Sequence, residues 1–278
     1  MGRWLAGFLH DDGKQVVISG RDENKLAQAA GQLGIKAATI AEAVSSSDVV
    51  VLSVPIDSFE SAVKEIAPFI RPGQLIFDIT SVKVMPVEIM HRYIKKGTVL
   101  GTHPMFGPGA SSSNGQRFVL TPTGEREADL ARKTGQYLEA KGARVIVMTP
   151  AEHDEMMSIV LGLSHFIALV TADTLVSLDS LKKASEIGGT TYRMLLTLAE
   201  SVVSEDPGFY ASLQANLPHM GEIHKLFQNK AEDWAELVRN RDSRQFVQRM
   251  GDLKDTFAKE DPDFARAYEN MYRVAGGF

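Results

Sequence analysis

Between residues 15 and 148 the chain alternates two kinds of segment, and this alternation restricts its fold more than any other feature. Short β-rich runs, Val16-Val17-Ile18, Asp48 to Val54, Leu75 to Ile79, Val99-Leu100, Phe118-Val119-Leu120 and Arg144 to Met148, are apolar at consecutive positions. Strands of that kind are covered on both faces. Between them, Glu23 to Gly31, Ile56 to Ile70, Val84 to Lys95 and Glu127 to Lys141 carry helical spacing. The order predicts an α/β fold, a doubly wound Rossmann-type sheet, mostly parallel, with helices on both sides.

After Thr149-Pro150 the strand signal stops and long helical periodicities take over. The chain therefore divides into an α/β domain, 1–149, and an all-helical domain, 150–278. Glu152 to about Val176 is apolar on nearly every side, which predicts a central buried helix or a dimer interface. Further helices are expected from Ala184 to Ser204, Pro207 to Asn216, Met220 to Arg239 and Ser243 to Lys259.

Composition narrows the chemistry. The absence of cysteine removes disulfides, thiolate catalysis and thiolate metal sites together. A formal net charge of -5 gives no broad attraction for nucleic acid or anionic membrane, so neither is expected as a partner. No run is read as reaching the roughly 18 to 20 apolar residues of a membrane span, and Met1 to Ala6 lacks the apolar core of a signal peptide. A cytoplasmic enzyme is the expectation. The histidines lack H-E-x-x-H spacing and no acidic cluster has metal-loop spacing, so no metal is expected.

A doubly wound nucleotide-binding domain opens with a buried strand, a glycine-rich turn and a helix whose N-terminus holds a pyrophosphate. Here Met1 to Leu9 reads as the end of a G-x-G-x-x-G element and its helix, with Gly2 as the third glycine. On this reading the first strand and two glycines are missing from the sequence. The alternative is an N-terminal helix ahead of an unrelated sheet, but Asp11 to Lys14 followed by the run from Gln15 to Ser19 fits a helix-turn-second-strand rhythm. At the tip of that strand stands Ser19-Gly20-Arg21-Asp22. An acid at this tip pairs with the ribose of NAD, whereas an arginine accommodates the 2′-phosphate of NADP. Ser19, Gly20 and Arg21 thus favour NADP, with NAD possible.

The densest constellation is Asp78 to Lys83 together with Gly101 to Pro108, each directly after an expected strand. Ligands of open α/β sheets bind beyond the carboxyl ends of strands, so Ser81, Lys83 and His103 should converge on one crevice. His103, on a loop stiffened by Pro104 and Pro108, suits proton acceptance near neutral pH, with Ser81 orienting its ring. Read alone, Lys83 is a solvated charge and Ser81 a helix cap. His165, inside the apolar helix, reads alone as a satisfied core group. Arg193, after Gly188-Gly189, either snorkels to solvent or meets a carboxylate.

His103-Pro104-Met105-Phe106-Gly107-Pro108, Ile79 to Lys83, Leu161 to His165 and Thr191-Tyr192-Arg193 closely resemble the prephenate/arogenate dehydrogenases, especially the compact archaeal type. The resemblance covers nearly the whole chain. It implies oxidative decarboxylation in tyrosine biosynthesis, with His103 at the ring hydroxyl of prephenate or arogenate and Arg193 at a carboxylate. Ser81 would orient the histidine, while Lys83 and His165 would be further substrate contacts. It also implies a homodimer through the helical domain. Departures are the incomplete dinucleotide loop and the looser Gly188-Gly189-Thr190 lead into Arg193. Two other classes stay open: a β-hydroxyacid-type dehydrogenase, which would use a helical lysine, and a non-catalytic truncated paralogue that dimerises or senses ligand.

Overall fold

In the computed structural model of the protein, residues 1–276 are described. They form two compact units, one comprising Met1–Met157 with Ala215–Pro218, the other Ser158–Gln214 with residues 219–276.

The first unit opens with helix α1 (Gly2–Asp11), strand β1 (Val17–Ile18), helix α2 (Glu23–Leu33) and strand β2 (Lys36–Ala37). Asp22 caps α2 by accepting from the Lys25 amide at 3.0 Å. Helix α3 (Ile40–Ser46) starts at a reciprocal capping box between Thr39 and Glu42. Strand β3 (Val49–Leu52), helix α4 (Phe59–Ile66), strand β4 (Leu75–Asp78), helix α5 (Val84–Tyr93) and strand β5 (Thr98–Pro104) follow. Strand β6 (Arg117–Thr121), helix α6 (Glu125–Glu139), strand β7 (Arg144–Val147) and helix α7 (Pro150–Met157) complete the unit.

The strands form two sheets. β1 and β2 pair in parallel, and β3-β4-β5-β6-β7 form a five-stranded sheet in which only β5 and β6 run antiparallel. The core on one side joins Leu52 and Ile76 to Phe59, Val63, Met90 and Val87. This is the Rossmann-type architecture that the alternation predicts, with two local corrections. β2 and α3 are additional elements, and β5 extends through His103 to Pro104, with His103 opposite Val119. His103 therefore sits in a hydrogen-bonded ladder rather than on a loop.

In the second unit a π-helical segment (Ser158–Leu163) continues α7 into helix α8 (Ser164–Ser177). Helices α9 (Leu181–Ile187), α10 (Thr190–Val203), α11 (Pro207–Asn216), α12 (Met220–Arg239), α13 (Ser243–Glu260) and α14 (Ala267–Ala275) follow. The helix expected over 184–204 is broken at Gly188-Gly189, where Gly188 lies under the Tyr192 ring. Pro150–Ser177 is, by length and composition, apolar enough to cross a membrane, contrary to the sequence expectation. Its opening turn is bonded into the sheet unit through His153 and Asp154, as described below. The sheet unit thus runs one helix beyond the junction read at Thr149-Pro150.

Gly101 is closely packed, since a Cβ there would lie 2.7 Å from Val87 Cγ2 and also collide with Thr121. Overpacking of this kind costs about 1–3 kcal/mol. Gly101→Ala is expected to lower the unfolding free energy by that amount, read as a lower denaturant midpoint at unchanged slope. An unchanged midpoint would show that β5, α5 and β6 are not packed as described.

Candidate active site

The carboxyl ends of β4 and β5 are joined by a buried ion pair. Asp78, last in β4, and Lys83 are both wholly buried, and the ammonium bonds the Asp78 carboxylate. Lys83 Nζ also donates to the Thr102 carbonyl at 2.7 Å and to Thr80 Oγ1 at 3.2 Å. Asp78 Oδ1 accepts from the Thr80 amide at 3.0 Å and hydroxyl at 2.6 Å. The expectation that Lys83 contacts substrate, and its reading as a solvated charge, are both corrected: its three N–H donors are spent inside the sheet unit. Burial pulls the ammonium below the ordinary lysine range, while the Asp78 carboxylate opposes that shift.

His103 lies beside this pair, 5% exposed. Its Nδ1 is 2.9 Å from Nε2 of His153, and the two rings meet edge to face at 5.1 Å. His153 Nδ1 is in turn 2.7 Å from Asp154 Oδ1. The same carboxylate accepts the backbone N–H of Lys83 at 2.7 Å and of Val84 at 2.9 Å, closing the first turn of α5. Burial, then the charges of His153 and Lys83, hold the His103 imidazole well below its ordinary range, so it is neutral at pH 7. His153 is lowered too, by burial, against the pull of Asp154.

Ser81 shares the Ile79–Lys83 loop and is partly exposed, but the side chain that bonds the His103 ring is His153. This corrects the expectation that Ser81 orients His103. His153 and Asp154 were not singled out in the sequence. The signal was there: a His-Asp pair just after a Thr149–Glu152 capping box, in the first turn of the helix that follows the last strand.

The segment after His103 is pinned from α1. Trp4 Nε1 donates to the Ala110 carbonyl at 2.7 Å, and the indole meets Phe106 edge to face at 4.8 Å. Two turns on, Asp12 accepts from Tyr137 at 2.8 Å and pairs with Lys141, which holds its carboxyl at about 2.

Of the residues read as cofactor contacts, Gly2 opens α1, and Ser19, Gly20 and Arg21 follow β1. A Cβ on Gly2 would come within 2.8 Å of Ser53 Oγ, so glycine is what lets the first turn of α1 approach the chain leaving β3. The N-cap of α1 supplies no side-chain hydrogen bond, and the first helical bond is Leu5 N–H to Met1 O at 3.0 Å. The amides of Gly2, Arg3 and Trp4 therefore have no partner within the helix and present its positive end. Ser19, Gly20 and Arg21 follow β1 and are exposed, and Arg21 makes no ion pair among the described residues. A glycine-opened helix terminus and a free arginine at a strand tip fit a dinucleotide phosphate group.

In the second unit, Arg193 is exposed on α10, without an ion pair among the described residues. His165 on α8 packs edge to face on Tyr210 at 4.9 Å, and its buried Nδ1 has no hydrogen-bond partner. It is therefore not the satisfied core histidine of the bland reading.

Lys83→Met leaves the buried Asp78 carboxylate without its counter-charge, a change worth about 3–5 kcal/mol. The variant is expected to unfold at markedly lower denaturant, with Asp78→Asn in the same chain restoring part of the loss. A cost below about 1 kcal/mol would show that the pair does not hold the strand ends together.

Comparison with known proteins agrees with this architecture. Residues 5–147 match the nucleotide-binding domain of prephenate dehydrogenases, and residues 149–252 match the dimerization domain of the same family. A probable arogenate/prephenate dehydrogenase of Methanocaldococcus jannaschii is 34% identical over 94% of this chain and 59% of its own length. A T-protein of Enterobacter agglomerans is 27% identical over 84% of this chain and 61% of its own. The chain thus spans about six-tenths of the length of these relatives. Among solved structures, prephenate dehydrogenase from A. aeolicus, in complex with hydroxyphenyl propionate and NAD+, superposes with a TM-score of 0.76 at 21% identity, covering 94% of this chain and 95% of that one. Synechocystis arogenate dehydrogenase gives 0.67 at 18%, covering 92% and 96%. With both of its domains matched in order, the chain belongs to the prephenate dehydrogenase family.

Proposed function

We propose that this chain catalyses the oxidative decarboxylation of prephenate or arogenate with NADP, as a cytoplasmic homodimer. The observation that carries the reading is His103: a neutral, buried imidazole at the carboxyl end of β5, bonded at Nδ1 and without a partner at Nε2 among the described residues. Proton acceptance by such a group is what oxidation of a ring alcohol requires.

The dinucleotide, when bound, supplies the acceptor for the hydride leaving the hydroxyl-bearing ring carbon. Gly2 and the first-turn amides of α1 would hold its pyrophosphate, and Ser19, Gly20 and Arg21 its ribose phosphate. His103 accepts the ring hydroxyl proton as the carbonyl forms. Loss of the ring carboxylate as carbon dioxide then restores aromaticity and makes the step effectively irreversible. Arg193 grips a substrate carboxylate, a contact its unpaired guanidinium is suited to make. His165, with its buried unpartnered nitrogen, offers a polar contact to the substrate side chain.

The two principal variants should fail differently. His103→Asn removes a group needed as the proton leaves, so kcat is expected to collapse by about 100-fold or more while KM changes little. Arg193→Ala removes ground-state binding, so KM should rise far more than kcat falls. Steady-state kinetics on both substrates reads this, and a His103→Asn enzyme with near-normal kcat would return the β-hydroxyacid dehydrogenase reading. Arg21→Ala should weaken NADP selectively, and equal loss of NAD and NADP affinity would remove Arg21 from phosphate recognition.

The dimer is supported by the family's dimerization domain and by apolar side chains left open in one chain. On α13, Val247, Met250 and Phe257 are each more than half exposed, as are Leu226 and Val238 on α12. Sedimentation at micromolar concentration should give twice the chain mass; a monomer there would contradict the proposal.

A further inference from the structure

Hydrogen bonds have a direction, and the buried row from Asp154 through His153 to His103 admits one direction only. The Asp154 carboxylate receives two backbone N–H groups at the N-terminus of α5, where the helix dipole favours an anion. An ionised carboxylate only accepts, so the hydrogen in its 2.7 Å contact with His153 belongs to Nδ1 of that ring. His153 is wholly buried and neutral, which leaves its Nε2 as a bare acceptor. The hydrogen in the 2.9 Å contact between the rings therefore comes from His103 Nδ1. The remaining nitrogen of His103, Nε2, carries a lone pair.

We infer that Asp154 and His153 are positioning residues that lock His103 in the tautomer able to take a proton at Nε2, an inference that rests on the dehydrogenase reading above. In the step itself the substrate O–H bond breaks and an Nε2–H bond forms on His103. The ring, until then neutral, becomes a cation. The charged or titratable groups around it are Asp78 from β4, Lys83 from the loop ahead of α5, and His153 and Asp154 from α7. Lys83 is already neutralised by Asp78. Asp154 is thus the anion that answers the new positive charge, with His153 passing its influence along the row. Placing the base on a ladder strand and its partners on a capped helix turn also fixes the ring's orientation more tightly than a loop would.

The test uses 15N-histidine labelling of the full chain, in which seven histidines contribute and His103→Asn assigns the resonance of interest. The wild-type His103 ring is expected to show a protonated Nδ1 and an unprotonated Nε2. Asp154→Asn keeps the size and a carbonyl oxygen for the Val84 amide; with its N–H toward His153 it gives up the Lys83 N–H that shared Oδ1, and the row is reversed. His103 Nε2 should then become protonated, and kcat should fall by about ten-thousand-fold with KM little changed, the size of loss seen when a catalytic histidine is held in its wrong tautomer. His153→Gln, whose carbonyl can accept from His103 Nδ1, should retain clearly more activity than His153→Leu. This comparison does not depend on the stability of Asp154→Asn. An unchanged His103 tautomer in Asp154→Asn, a protonated Nε2 in the wild type, or equal loss in His153→Gln and His153→Leu would overturn the inference. Absence of wild-type turnover on either substrate would instead sink the dehydrogenase reading, while the ring spectra would still report the tautomer.

Discussion

One buried ammonium holds the carboxyl ends of β4 and β5 together. Removing a charge from water costs several kcal/mol per ion after relaxation, and that cost is offset only when partners are close and every donor is used. Lys83 meets the condition, with Asp78, Thr80 and Thr102 as its three acceptors. The consequence reaches past the pair. Because Lys83 is fixed at its side chain, its backbone N–H is fixed too, and that N–H is one of the groups that hold Asp154. Strand β4, strand β5 and helix α7 are thereby tied through a single residue.

The groups proposed to do chemistry differ in how firmly they are held. His103 has a ladder partner on β6, a ring partner on α7 and a following segment bonded to Trp4. Arg193 has none of these restraints and stands exposed on a helix. A proton acceptor must be placed to within a fraction of an ångström, whereas a long guanidinium meeting a carboxylate tolerates a broader range of approach. The rigidity of each group follows what its task demands.

Much of the fold was legible because buried parallel strands write themselves as uninterrupted apolar runs: Val49–Leu52, Leu75–Asp78 and Arg144–Val147 stand where those runs are. Strand β2 was not, since two residues cannot display a period. Helix α3 carried a readable capping signal at Thr39 and Glu42, but its few apolar residues weakened the helical pattern. The residues proposed for the chemistry stand out in the sequence where a motif is local, as at His103 and Arg193. It was illegible where the decisive partner was distant: nothing adjacent to Lys83 says that its ammonium reaches the Thr102 carbonyl, and nothing adjacent to His103 names His153, fifty positions away. The extension of β5 through His103 likewise depends on pairing with β6 rather than on the residues of β5.

The indole that pins the segment after His103 has a further consequence. The chain contains two tryptophans, and they are divided between the units: Trp4 on α1, against Phe106, and Trp234 on α12, against Phe246 and beneath the Arg249 guanidinium at 4.7 Å. Each unit thus carries one tryptophan in its own aromatic and electrostatic setting. A pair of single-tryptophan variants would emit from one unit at a time, and the spacing of their melting curves would measure how strongly the folding of the sheet unit is coupled to that of the helical one.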